Sequence, residues 1–138
     1  MKTTNAQDKS RPSTLVDVAL RTLSKQGAFD ANLREFLDEF YSKKEKRSGM
    51  IAEPPPSIDE IKDAYLGAAA EHLAIHWKLD RPRWINDPSR FLRRPYFAGG
   101  LENLKAILLV ESPAAFRRRM IFVGKDALFR PRAVDAEA

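Results

Sequence analysis

The sequence predicts a mainly α-helical fold: a compact single-domain bundle of about four main helices, with a long ordered loop and a short extended C-terminal segment. Three observations lead there. Apolar residues recur at helical spacing in two early segments, and a third segment is rich in alanine behind a strong start signal. The run singled out as β-prone, Met120-Ile121-Phe122-Val123, is only four residues long. A chain of 138 residues is one domain by length, and at that size roughly two-thirds of the unfolded surface can be buried without staples. The domain is expected over 13–133, between a polar, frayed and disordered N-terminal tail at 1–12 and a disordered C-terminal tail at 134–138.

Taken in order, the first helix is expected from Thr14 to near Gln26. Thr14 and Asp17 have the spacing of an N-terminal capping pair, Leu15, Val16, Ala19, Leu20 and Leu23 form a stripe, and Gly27 is a natural stop. The second is expected from Ala31 to near Ser42 with Asp30 as its N-cap, burying Leu33, Phe36, Leu37, Phe40 and Tyr41. Residues 43–56 read as a connector that closes on Pro54-Pro55-Pro56, which forbid a continuous helix, with Met50 and Ile51 docking it. Ser57 and Glu60 have capping-box spacing ahead of a third helix running to Trp77, whose alanines suit it to the centre of the core. Residues 78–100 contain Pro82, Pro88 and Pro95 together with Trp84, Phe91, Leu92, Tyr96 and Phe97. Such an apolar loop needs burial. A fourth helix is expected from Leu101 to Val110. Ser112-Pro113 then opens a short one through Phe116, and Met120–Val123 is a short strand or extended segment.

The charge is one-sided. Residues 1–70 hold 11 basic and 11 acidic groups, whereas 71–138 hold 13 and 8, which is the whole net charge of +5. Within Arg81–Arg132 ten of the twelve basic residues are arginine, including Arg93-Arg94 and Arg117-Arg118-Arg119. A guanidinium offers a planar fork of donors for carboxylates, phosphates and aromatic faces. With no cysteine there are no disulfides and no thiolate metal sites. The N-terminus lacks the apolar core of a secretory signal, and the most apolar stretch, Ala64–Trp77, is too short to span a bilayer, so a cytoplasmic location is the default expectation.

Catalytic patterns are not apparent. There is no G-x-S-x-G and no glycine-rich phosphate loop. His72 and His76 share one helical face, but Glu71 precedes them, which is not the H-E-x-x-H order, and they read as packed polar aromatics. Asp59/Asp63 and Glu35/Glu39 read as solvated helix faces. The residues singled out for partner binding are Arg90, Arg93, Arg94, Tyr96, Arg117, Arg118 and Arg119. Arg90, Arg93 and Arg94 frame Phe91-Leu92, an interleaving that also suits single-stranded nucleic acid. Three successive arginines on a helix splay around its axis, so all three cannot serve one flat surface, and one or two are expected to bond loop carbonyls or an inner acid.

The second half resembles a group of small bacterial proteins. The residues that carry the likeness are Ala70-Glu71-His72-Leu73-Ala74, Pro82-Arg83-Trp84, Arg90-Phe91-Leu92, Pro95-Tyr96-Phe97, Glu111 through Arg119, and Phe122-Val123. The resemblance implies an accessory or antitoxin-like role in a toxin–antitoxin-like setting, with a toxin-like nucleotidyltransferase as partner, and it carries over no activity; together with the absent catalytic motifs, no enzymatic activity and no cofactor are expected. The expected function is therefore that of a non-catalytic interaction protein, antitoxin-like or regulatory, using its arginine-rich half against an acidic protein. The alternative is nucleic-acid binding by the 90–97 loop and Arg117–Arg119.

Overall fold

The computed structural model describes residues 11–98 and 105–129. The expected tails fall mostly outside the described residues, as does the start of the expected fourth helix at 101–104. The fold is mainly helical, with six α-helices and two very short strands among the described residues. No described helix is long and apolar enough to cross a membrane. Within the single domain expected, the chain divides into two compact units, one ending at Pro56 and one spanning Ser57–Phe129.

In the first unit α1 (Leu15–Leu23) packs against α2 (Phe29–Ser42). The Thr14–Asp17 capping pair forms as expected: the Asp17 amide donates to Thr14 Oγ1 at 3.1 Å and the Thr14 amide to Asp17 Oδ2 at 3.2 Å. The helix stops earlier than Gln26. Lys25 takes the left-handed conformation at φ 64°, and the amides of Gln26 and Lys25 close back on the carbonyls of Arg21 and Thr22 at 2.8 and 3.2 Å. Gly27 follows at φ 92° and accepts from the buried Asn32 side chain at 3.3 Å. Arg11 and Pro12, expected in the frayed tail, are held: Pro12 is buried and Arg11 pairs with Glu39 at 3.5 Å.

The second helix starts two residues before Ala31, capped by the Ala28 backbone with no side-chain bond, so Asp30 lies in the first turn and is not the N-cap. The earlier start brings Phe29 into the helix, where it is buried. Burying a phenylalanine stabilises by about 1.5–3 kcal/mol, more than the ~1 kcal/mol of a cap. The connector is also more ordered than expected, with a 3₁₀ turn at Lys44–Lys46 and a short α3 (Arg47–Ala52) that buries Met50 and Ile51. Arg47 causes the order. Its buried guanidinium donates to the carbonyls of Phe40 and Tyr41 at 2.8 and 2.7 Å and lies 5.2 Å from the Phe40 ring centre, closing the end of α2.

The second unit is built on α4 (Glu60–His76), the most buried helix, as its alanines predict. Its start corrects the expected Ser57–Glu60 box. Asp59 is the N-cap and accepts the Lys62 amide at 2.8 Å, while Asp63, expected on a solvated face, is buried. Asp63 accepts from the Ser57 hydroxyl at 2.6 Å and the Ile58 amide at 2.7 Å. Two carboxylates at i and i+4 thus divide the work, one capping the helix and one tying down the strand of chain that enters it. Lys78 at φ 57° ends α4 just as Lys25 ends α1, with the Leu79 amide on the Ala74 carbonyl at 2.7 Å.

The following loop packs down through 3₁₀ turns at Arg83–Asn86 and Pro88–Arg90, burying Ile85 and Leu92. It ends in β1 (Tyr96–Phe97), which pairs in parallel with β2 (Ile121–Phe122), stacking the rings of Phe97 and Phe122 at 4.9 Å. Between them lie α5 (Lys105–Glu111) and α6 (Ala114–Arg117). Ser112 does not cap α6. It is buried, and its hydroxyl oxygen accepts the Val123 amide at 2.8 Å, anchoring the segment after β2.

Gly67 marks the closest approach onto α4: a Cβ there would come within 3.0 Å of Arg90 Cβ and 3.1 Å of Arg119 Nε. Gly49, on α3, has nothing within 4 Å. Removing a mid-helix glycine ordinarily stabilises by about 0.5–1 kcal/mol. Gly49→Ala is expected to raise the thermal midpoint and Gly67→Ala to lower it, read by calorimetry on the two variants side by side.

Candidate functional site

The arginines of the second unit sort into two groups, those consumed inside and those left outside. Arg119 is fully buried. Its guanidinium donates to Glu71 Oε1 on α4, to the Ala115 carbonyl on α6 at 2.9 Å and to the Ile85 carbonyl of the loop at 2.7 Å. The Phe91 ring centre lies 4.5 Å from its Cζ. Three pieces of chain are thus joined by one planar group, a geometry lysine cannot supply. Arg119 Nε has no hydrogen-bond partner and faces the notch at Gly67, one helical turn before Glu71.

Glu71 carries a second arginine. Arg118 Nε reaches the same carboxylate oxygen at 2.9 Å, its other end meets Asn86 Oδ1 at 3.1 Å, and its side chain remains 45% exposed. Burial pushes the Glu71 carboxyl up, but the hydrogen bonds and charges of Arg118 and Arg119 outweigh it and hold it below its ordinary range. Burial lowers the Arg119 guanidinium, with Glu71 opposing.

Arg90 is buried too, donating to the Asp63 carbonyl at 3.3 Å with its Cζ 4.8 Å from the Trp84 ring centre. Arg90 and Arg119, both singled out for partner binding, therefore have no surface to offer, and Arg118 is half committed to Glu71. The turn after α6 decides which arginine goes in. Met120 adopts φ 64°, and its carbonyl accepts the Tyr96 amide at 2.8 Å, so the chain reverses directly after Arg119. A non-glycine residue in that region costs about 1–2 kcal/mol, which the Arg119 bonds and the β pairing offset.

Outside are Arg81, Arg83, Arg93, Arg94 and Arg117, all exposed. Neither Arg93 nor Arg94 forms an ion pair with another described residue. Both line a groove of about 450 Å³ with Pro95, half-buried Tyr96 and buried Leu92 on one side and Glu60 and Ile61 of α4 on the other. Sequence reading missed Glu60 and Ile61 as neighbours of Arg93–Tyr96. Ile61 is a large apolar residue in a charged first turn, in line with Ala64 and Ala68, and that was the available signal.

His72 and His76 stack with ring centres 5.9 Å apart, and His72 also packs near Phe116 at 6.3 Å. Among the described residues no three His, Asp or Glu side chains gather as a metal site. Burial, with the charge of His76 adding to it, holds His72 below its ordinary value of 6.5. No family model matches this chain, and neither curated proteins nor solved structures yield a match.

Removing one partner of a buried ion pair costs about 3–5 kcal/mol, because the other charge is left behind. Glu71→Ala and Arg119→Ala should each lose about that much in urea unfolding, and Arg118→Ala about 1 kcal/mol at most, as a part-exposed pair. With acid, two steps are expected. The neutral His72 contributes stability above pH 6.5 that is lost as pH falls through its lowered folded value. The Glu71 contribution is full above pH 4.5 and is lost only as pH falls through its own depressed value. In unfolding followed against pH, His72→Gln should remove the upper step and leave the lower one.

Proposed function

We propose that this is a non-catalytic interaction protein, antitoxin-like or regulatory, which holds an acidic protein partner through the edge formed by Arg93 and Arg94. The single observation that carries the reading is the contrast between arginines. Arg47, Arg90 and Arg119 are buried, whereas Arg93 and Arg94 stand adjacent, exposed and without an ion pair to a described residue. Two neighbouring guanidinium forks without internal carboxylates suit a partner that brings its own. The likeness to small bacterial proteins of toxin–antitoxin-like settings supports the antitoxin-like form of this reading and a toxin-like nucleotidyltransferase as the partner.

Nucleic-acid binding is the second reading, favoured by the adjacency of Arg93, Arg94 and Tyr96. It has fewer cations to use than the sequence suggests, since Arg90 and Arg119 lie inside. The two readings part in one experiment. The tagged protein and its Arg93→Glu/Arg94→Glu variant are used for capture from the native host, each with and without nuclease. The proposed function predicts a protein partner that survives nuclease and is lost with the double reversal. Unchanged capture by the variant would contradict it. Material released by nuclease, with affinity falling by a slope of about 0.9 per phosphate contacted in log salt, would favour nucleic acid.

A further inference from the structure

We infer that the groove beside Arg93 and Arg94 is a peptide-docking site for an acidic segment of the partner that also carries one large apolar anchor residue. This rests on the interaction reading above and specifies what that surface recognises. The groove is chemically mixed. Its lining brings together the two exposed arginines, the apolar groups of buried Leu92, half-buried Tyr96 and exposed Ile61, and the carboxylate of Glu60. Ile61 is 38% exposed on a helix whose other large aliphatic residues, apart from Ile75, are buried. Singly this would mean little, but Ile61 shares one concavity with Leu92, Pro95 and Tyr96, and a grouped apolar lining rimmed by charge marks a contact surface.

The ligand follows from complementarity. Its carboxylates meet Arg93 and Arg94, where a planar fork takes a carboxylate in bidentate fashion. An aliphatic or aromatic side chain enters beside Ile61, Leu92 and Tyr96, in a volume of about 450 Å³, which lies in the ordinary range of ligand clefts. A continuous polyphosphate fits poorly. It carries charge at every step and would set some of it against Glu60, one residue from the N-capping Asp59. A peptide alternates its charge with apolar groups and avoids that conflict.

The probe is a phage-displayed library of random peptides, panned on the full chain. The expected result is a consensus of Asp or Glu flanking a Leu, Ile or Phe. A synthetic peptide of that consensus should bind about tenfold more weakly to Arg93→Glu/Arg94→Glu and several-fold more weakly to Ile61→Ser. All three positions are exposed, so circular dichroism of the variants should match the parent. Absence of an acidic–apolar consensus, or a consensus peptide that binds both variants as tightly as the parent, would overturn the inference. If host capture depends on Arg93 and Arg94 but no such consensus emerges, the interaction reading stands and this inference alone falls. If capture is indifferent to those arginines, the reading itself falls.

Discussion

A guanidinium with no exposed surface needs every compensation the fold can arrange, and in the second unit the fold is arranged around that need. Arg119 is met by a carboxylate from α4, by carbonyls from α6 and the loop after α4, and by the face of Phe91. Each partner constrains the piece of chain it belongs to. The glycine at position 67 leaves room for the Arg119 and Arg90 side chains along α4. The alanines around it keep the helix narrow enough to be packed on both flanks, with Tyr65 and His72 meeting Phe116 on one of them at 5.1 and 6.3 Å. If Arg119 were outside, Glu71 would be a buried carboxylate held by the half-exposed Arg118 alone.

That internal use of arginine bears directly on what the surface can do. A net charge of +5 and a run of arginines suggest a broad basic face. The basic groups are far less concentrated than that, because Arg90 and Arg119 are buried and Arg118 shares Glu71 with Arg119. Among the other exposed arginines of this unit, Arg81, Arg83, Arg93, Arg94 and Arg117, only Arg93 and Arg94 line the groove beside Ile61, Leu92 and Tyr96. A small edge with mixed chemistry favours a specific peptide contact over the diffuse charge neutralisation that dominates nucleic-acid affinity.

Much of the helical frame was legible from spacing alone. The Thr14–Asp17 pair, the stripe from Leu33 to Phe40 and the buried alanine helix each rest on local chemistry that tertiary contacts reinforce. The failures have a common cause. At the start of α4, Ser57, Asp59, Glu60 and Asp63 offer two competent capping arrangements within seven residues, and burial of Asp63 selects between them. At the end of α1, where Gly27 was the expected stop, Lys25 takes the left-handed position first, and Lys78 does the same at the end of α4. Among the three arginines of 117–119, splay around the axis indicated that not all could face out. Which one turned inward depended on Met120 and on the distant Glu71, forty-eight residues away in sequence. The groove was half legible: Arg93, Arg94 and Tyr96 stood out, whereas their meeting with Glu60 and Ile61 is a tertiary fact.

The division of the arginines between interior and surface can be read by chemical modification. Native protein is treated with phenylglyoxal for increasing times and the adducts are mapped by peptide mass spectrometry. Rapid modification is expected at Arg81, Arg83, Arg93, Arg94 and Arg117, slower modification at Arg118, and protection of Arg47, Arg90 and Arg119 until the protein is unfolded in urea. Modification of Arg119 at the rate of Arg93 in the folded protein would contradict that division.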